Sequence, residues 1–438
     1  MSSGALPGFR DFFPTELAER AHIMRVWREM ARRYNFVEYD GPPLEPLDLY
    51  TKKSGDEIVG QLYTFTDKGG REVALRPEMT PTFARMVGER ANALRKPVRW
   101  FTMPQLFRYE RQQKGRLREH FQLNVDIVGE ADVSADAELL ALAIDIMRGL
   151  GLTEHDVVAR VSDRGVLRAL LLDAGVTDAQ LGAAYAVIDK VQREPRDVGE
   201  RKLAEAGIDS KARDAVYAIV SIRSLDDLRA RAGSNDAIRE HADRLERFFG
   251  YLRALGVGEW VKLDLSIVRG LAYYTGIVFE LFDARGEFRA ICGGGRYDTL
   301  LSSLGGADLP ALGFGMGDVV LGELLRARGL MPSTAPAVDF WVAAADRGQE
   351  AEVMRVATAL RATGRSAEYA LRQQQLGKQF KAASAAGATY AVVLPPGYTH
   401  GDALTVRSLS DGTERSVTLA ALVAEQGARA AQGIGAER

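Results

Sequence analysis

The side chains able to do chemistry here are arginines, carboxylates and glycines, and they gather in a few short stretches. Arg108, Arg111, Lys114, Arg116 and Arg118 form a basic cluster. Such a cluster suits phosphate, because guanidinium stays charged and binds phosphate bidentately. The alternative for Arg108 is an exposed place on a basic loop, where arginines usually lie. The stretch 119–128 then alternates strictly: Phe121, Leu123, Val125 and Ile127 point one way, while His120, Gln122, Asn124 and Asp126 point the other. That polar face is either the wet side of an amphipathic strand or the floor of a pocket, and spacing alone leaves the two level. Gly293-Gly294-Gly295 is expected to be a turn able to approach a phosphate, but the Lys-Ser/Thr of a P-loop is missing. His22, His120, His155, His241 and His400 are scattered; no Cys/His group has zinc spacing and no motif supports Ser-His-Asp chemistry.

These residues need elements to hold them. Residues 14–34 carry Leu17, Ile23, Met24, Trp27, Met30 and Ala31 near the helical period. Short apolar runs at 36–39, 62–65, 73–75, 98–103 and 106–110 read as strands, spaced for an antiparallel sheet rather than a βαβ array. A helix is expected at 134–150, with Asp136 and Glu138 near its positive end. Residues 164–255 show helical composition without strand patterns, and strands resume at 261–265, 273–281, 290–292 and 312–316. The helical block is therefore expected to interrupt the sheet-forming part of the chain. A helix at 317–328 leads to a Pro-containing linker at 331–336. Beyond it, strands at 338–344, 366–371 and 390–394 alternate with helices at 349–363 and 374–386, the pattern of an α/β domain with partly parallel strands. The Ala/Gly-rich tail after Gly427 is expected to fray. The expected divisions are 1–163, 164–255, 256–330 and 337–427.

A chain of 438 residues with 46% hydrophobic and 26% charged residues reads as a soluble globular protein of more than one domain. No apolar run reaches membrane-spanning length, and the first residues lack a secretory pattern. One cysteine, Cys292, excludes an internal disulfide framework and suits a reducing compartment. A cytoplasmic address follows by elimination. The net charge of −2 decides nothing about nucleic acid, which needs only a basic patch.

Five fragments in order carry a resemblance: Leu6-Pro7-Gly8-Phe9-Arg10-Asp11, Pro43-Leu44-Glu45, Leu75-Arg76-Pro77-Glu78-Met79-Thr80, Phe107-Arg108-Tyr109-Glu110-Arg111 with Lys114-Gly115-Arg116 and Arg118, and Val268-Arg269-Gly270-Leu271-Ala272-Tyr273-Tyr274-Thr275-Gly276. Together they resemble histidyl-tRNA synthetases of the class II aminoacyl-tRNA synthetase family. Ala311-Leu312-Gly313-Phe314-Gly315-Met316-Gly317 resembles the third class motif. The resemblance implies an α+β catalytic domain with an antiparallel sheet flanked by helices, a helical insertion and a C-terminal α/β anticodon-binding domain. It implies a homodimer, formed through the Pro43 region, that joins L-histidine to tRNA(His) at the expense of ATP, with Mg2+ accompanying ATP. It makes Arg108 and Arg269 catalytic. Histidine would be held by Glu78, Thr80, Arg108, Gln122, Asp126, Arg269, Tyr273 and Tyr274. ATP would be held by Arg108, Glu110, Arg116, Arg118, His120, Gly315 and Gly317; no metal ligand is assigned. Two bland roles compete: Thr80 as a helix N-cap, and one of the two tyrosines as ordinary strand packing.

Three positions depart from the family pattern. Val320 stands where the third motif ordinarily closes with arginine, Ala272 where an acidic residue is common, and His120 where a phenylalanine lies under adenine. Such departures also fit a paralogue, the histidyl-synthetase-like regulatory subunit of ATP phosphoribosyltransferase, which binds histidine without charging tRNA. A protein that only binds RNA is a third option. Arg269 and the C-terminal α/β module favour the enzyme.

Overall fold

The computed structural model describes residues 4–51, 59–110, 115–269, 273–304, 306–332 and 337–434, with side chains up to 428. Arg111, Lys114, Gly270-Leu271-Ala272 and most of the linker therefore lie outside the described residues. The chain divides into two compact units, Met1–Pro332 and Ser333–Arg438.

The strands of the first unit are β1 (Val37–Glu38), β2 (Leu44–Pro46), β3 (Tyr63–Thr66), β4 (Glu72–Leu75), β5 (Val98–Thr102) and β6 (Gln105–Phe107). They continue as β7 (Glu119–Val128), β8 (Val157–Asp163), β9 (Val261–Leu263), β10 (Ile277–Asp283), β11 (Cys292–Arg296) and β12 (Ala311–Gly317). Among the described residues a nine-stranded sheet runs β1-β5-β7-β12-β11-β10-β8-β9, with β6 paired to β7. Its centre is antiparallel as expected, but β1 pairs parallel with β5, and β8 parallel with β9. The second parallel pair explains the helical block. Parallel neighbours need a long crossover, and the helices from Arg164–Asp173 to Asp236–Ala254 supply it. The apolar residues of that block, among them Leu170 and Phe248, join the same core as Trp27, Leu123 and Ile127.

The helix Val133–Gly149 packs into this core, capped by Asp132, whose side chain accepts from Ser134 N. Its Asp136 is buried and receives the Arg296 guanidinium of β11, with Nε 3.1 Å from either carboxylate oxygen. Arg296 Nη1 also donates to Glu130 O at 2.9 Å. Burial still pushes Asp136 up to about 6, against the pull of Arg296.

Two sequence expectations fail locally. The glycine run is not a turn: Gly293, Gly294 and Gly295 pair with β10 on one side and β12 on the other. A Cβ on Gly294 or Gly295 would meet neighbouring backbone, so bare strands are what let these ladders close. Residues 273–276 also precede β10 instead of belonging to it.

The second unit contains β13 (Phe340–Ala344), β14 (Ala367–Tyr369), β15 (Tyr390–Leu394), β16 (Ala403–Ser408) and β17 (Glu414–Thr418), ordered β14-β13-β15-β16-β17. The first three are parallel and the last two antiparallel. The helix Leu419–Ile434 then runs through the tail that was expected to fray. No described helix is long and apolar enough to cross a membrane.

Removing Arg296 would leave the Asp136 carboxylate buried without its cation. Arg296→Met should therefore destabilise the first unit by about 3–5 kcal/mol, seen as a lower urea midpoint. An unchanged midpoint would mean that the pair contributes nothing net.

Candidate active site

The polar face of β7 decides the question that its sequence left open. Leu123, Val125 and Ile127 enter the core shared with the helices. On the opposite face Asn124 and Asp126 are only 6% and 4% exposed, so that face is not the wet side of the sheet. It is the floor of a pocket.

A cleft of about 290 Å³ opens over this face. Arg108, Glu110, Arg116, His120 and Gln122 line it from the β6–β7 side, Arg269 and Glu280 from the far side, and Gly315, Gly317 and Val320 from the third-motif segment. Three glycines let polar side chains lie flat on the strands. A Cβ on Gly293 would overlap the Arg269 guanidinium, and one on Gly313 would overlap Asp126. One on Gly315 would stand 2.8 Å from Gln122 Cδ. The glycine run was expected to approach a phosphate; at Gly293 the structure puts an arginine against the bare strand.

Arg269 holds an unusual backbone, φ +58°, a left-handed conformation that costs a non-glycine residue free energy and tends to gather at functional sites. Its Nη1 lies 3.4 Å from Phe279 O and 3.9 Å from Glu280 Oε1, and its guanidinium carbon is 5.4 Å from the Tyr274 ring centre. Its Nε is buried with no hydrogen-bond partner among the described residues. Arg108 is fixed by its Nε, which donates to Pro77 O at 2.8 Å. Arg116 Nε stands 2.9 Å from Glu110 Oε2. His120 lines the cleft, while its neighbour Phe121 turns away against Phe12 at 6.0 Å between ring centres. Burial, then the nearby Arg108 and Arg10 charges, bring the His120 imidazole down to about 3, so it is neutral at pH 7.

A second cluster gathers the remaining sequence candidates. Asp126 accepts a hydrogen bond from the Tyr297 hydroxyl. Tyr297 packs edge-on against Tyr273 at 5.7 Å and near Tyr274 at 6.5 Å. The two consecutive tyrosines touch each other, at 4.9 Å between ring centres. Ordinary strand packing accounts for neither, because both precede β10, where strand alternation does not apply. Burial raises both phenols above their ordinary range, and the Glu78 charge adds to it. Burial likewise drives Asp126 up to about 7, partly opposed by the Tyr297 hydrogen bond.

One candidate falls elsewhere. Arg118 does not line the cleft: Nη1 donates to Pro7 O at 3.3 Å and its guanidinium lies 4.1 Å from the Tyr109 ring centre. Thr80 begins the helix Thr80–Arg90, whose N-cap is Met79 with no side-chain cap, so capping does not explain Thr80. Residues that sequence reasoning passed over are Tyr297, Glu280 and Arg10. Arg10 Nε donates to Glu119 at 2.6 Å and Nη1 to Asp318 at 2.9 Å, and Asp318 accepts from Phe121 N. The opening segment thus fixes the start of β7 to the start of the helix Asp318–Ala327. For Tyr297 the only sequence signal was its place just after the glycine run.

A family model described as histidyl-tRNA synthetase matches residues 8–317, and one described as an anticodon binding domain matches 339–426. The chain belongs to the histidyl-tRNA synthetase family. A histidine–tRNA ligase of Opitutus terrae is 44% identical over 417 residues, covering 94% of this chain and 95% of that protein. The chloroplastic/mitochondrial histidine–tRNA ligase of Arabidopsis thaliana is 41% identical over 416 residues, covering 95% and 85%. The crystal structure of histidyl-tRNA synthetase from Nostoc sp. PCC 7120 superposes with a TM-score of 0.83 at 24% identity, covering 98% of this chain and all of that one. A Bacillus halodurans structure named as both ATP phosphoribosyltransferase regulatory subunit and histidyl-tRNA synthetase superposes at 0.75 with 22% identity, covering 91% and 100%, which speaks for the fold alone. Histidyl-tRNA synthetases are aminoacyl-tRNA ligases, and relatives this similar over nearly the whole chain do not favour the regulatory-subunit alternative.

The charge state of Asp126 in this synthetase generates a pH prediction. Its folded value of about 7 lies above the unfolded value of about 3.9. Ionising it inside the fold therefore costs stability, by nothing below pH 4, increasingly between 4 and 7, and fully above 7. Asp126→Asn removes that cost and still accepts from Tyr297. Its stability gain should grow from pH 5 to pH 8, toward a limit of roughly 4 kcal/mol, in urea titrations. Equal gains at both pH values would rule out a buried carboxylate titrating in this range.

Proposed function

We propose that the cleft activates L-histidine with ATP and that the chain transfers the activated residue to the 3′ end of tRNA(His), releasing pyrophosphate and then AMP. The observation that carries this reading is the convergence of Arg108, Arg116 and Arg269 on one cleft over glycine-bared strands. Adenylation presses a carboxylate against the α-phosphorus of ATP, two anions whose charge spreads in the transition state. Fixed guanidinium groups in a partly dehydrated site stabilise that charge without reorganising. Arg108 would grip the α-phosphate and the histidine carboxylate, and Arg269 would face both from the other side.

Glu78, Thr80 and Gln122 would accept from the ammonium group. Asp126, with one oxygen engaged by Tyr297, keeps the other for an imidazole N–H, and Tyr273 and Tyr274 complete that end. The neutral His120 ring would lie under adenine, where a cation is not required. Glu110, Arg116 and the backbone at Gly315 and Gly317 would hold the rest of the nucleotide. Arg118 we assign to bracing the opening segment, since it stands against Pro7 and Tyr109. Mg2+ would enter with ATP and neutralise its phosphate charge. Glu110 and Glu280 are cleft carboxylates of a type that suits it, although each already faces an arginine.

A homodimer formed around Pro43-Leu44-Glu45 and a cytoplasmic setting belong to the same proposal. So do the divisions 1–163, 164–255 and 256–330 of the catalytic unit, and 337–427 as the anticodon-binding module, with Arg372, Lys378 and Lys381 among its basic residues.

Histidine-dependent ATP–pyrophosphate exchange tests the reading, because a regulatory paralogue or an RNA-binding protein would not support it. In that assay Arg269→Ala should lower the rate several hundred-fold, roughly 3–4 kcal/mol, with a far smaller effect on ATP binding. Unchanged exchange in a folded variant would remove Arg269 from the mechanism. A chain ending near Pro332 should lose tRNA charging while keeping exchange better. Equal loss of both in a folded protein would show that the last unit does more than hold tRNA.

A further inference from the structure

Each arginine in the cleft has a local engagement: Arg108 with Pro77 O, Arg116 with Glu110, Arg269 with Phe279 O and Glu280. A triphosphate carries charge well beyond its α-phosphorus, and the wall on the third-motif side ends in apolar Val319 and Val320. Val320 has a packing role instead. Gly115, on the loop entering β7, closes on it: a Cβ at Gly115 would stand 3.3 Å from Val320 Cγ2. The same point lies 4.0 Å from Arg289 Cδ and 4.0 Å from Glu323 Oε2. Arg289 is exposed, and the three residues that follow it, Ala290, Ile291 and Cys292, line the cleft. Its guanidinium begins one bond beyond the carbon that approaches the loop.

We propose that Arg289 is a ligand of the β- and γ-phosphates, supplying from the β10–β11 connection the cation that the Val319–Val320 wall lacks. The proposal rests on placing ATP in this cleft. Gly115 closing on Val320 draws the loop that carries Arg116 toward the stem of Arg289, so the two guanidiniums would hold the phosphate tail from opposite sides. Glu323, on the helix that carries Val320, brings a carboxylate to the same point. Arginine suits the task because its planar fork binds phosphate bidentately and stays charged at every working pH.

The test compares nucleotides of different length on the full chain. Arg289→Ala should weaken ATP binding about tenfold or more and raise the ATP KM to match, while AMP affinity and the histidine KM stay within twofold. Arg289→Lys should recover part of the loss. Equal loss of ATP and AMP would mean that Arg289 shapes the cleft and does not hold the phosphate tail, and no loss of either would also overturn the proposal. Arg108→Ala and Arg116→Ala serve as the control for the underlying reading. If they weaken ATP and Arg289→Ala does not, only the Arg289 assignment fails; if none of the three does, the placement of ATP itself is wrong.

Discussion

Laying a charged side chain across a β-sheet is possible only where the strands beneath carry no side chains of their own. Most of this site follows from that constraint. Arg269, Asp126 and Gln122 lie on Gly293, Gly313 and Gly315, and a methyl group at any of the three positions would displace the group above it. Bare strands are weak on their own account, because glycine has the most backbone freedom to lose on folding. Here they sit in the middle of the sheet, hydrogen-bonded on both sides, and the loss is offset by their neighbours. The surface that carries these side chains is thus also the part of the sheet least able to stand alone.

A second consequence is electrical. The site buries arginines, carboxylates and phenols within one small region, and each group is kept in a useful state by its surroundings. His120 is held neutral by burial and by adjacent guanidiniums, so it offers a flat uncharged ring among cations. Asp126 sits close to its titration point because burial and the Tyr297 hydrogen bond oppose one another. Arg269 accepts a disfavoured backbone and a buried Nε without a described partner, a local cost that suits a residue selected for its position over stability.

Much of this was legible in the residues. The strict alternation of 119–128 fixed β7 to the residue, because period-two patterning and ten residues of length left little else. Which way its polar face looked was not legible, since a pocket floor and a wet face have the same spacing; only the opposing strands decide it. The glycine run reads as a turn because glycine marks turns and close approaches alike, and nothing local says which. The tyrosine pair reads as part of β10 because apolar residues on both sides of 277 blur where the ladder starts. Nothing near Tyr297 or Arg10 in the chain shows what they bond, because those partners lie 171 and 308 residues away. The strands Ala403–Ser408 and Glu414–Thr418 are illegible for a different reason, as their polar edge residues resemble loop.

The bond from Arg10 to Asp318 spans 308 residues, and synthesis on a ribosome gives that separation a meaning in time. At about 5–20 residues per second, the opening segment waits roughly 15–60 s before its second carboxylate partner has been made. Glu119 is available much earlier, so β7 can be engaged from one side while the third-motif helix is still missing. Until that helix emerges, the Phe121 N–H and the remaining donors of Arg10 have no native acceptor at Asp318. The cleft therefore cannot take its final form on a nascent chain that stops short of residue 318, where one of the first residues translated finds its second partner.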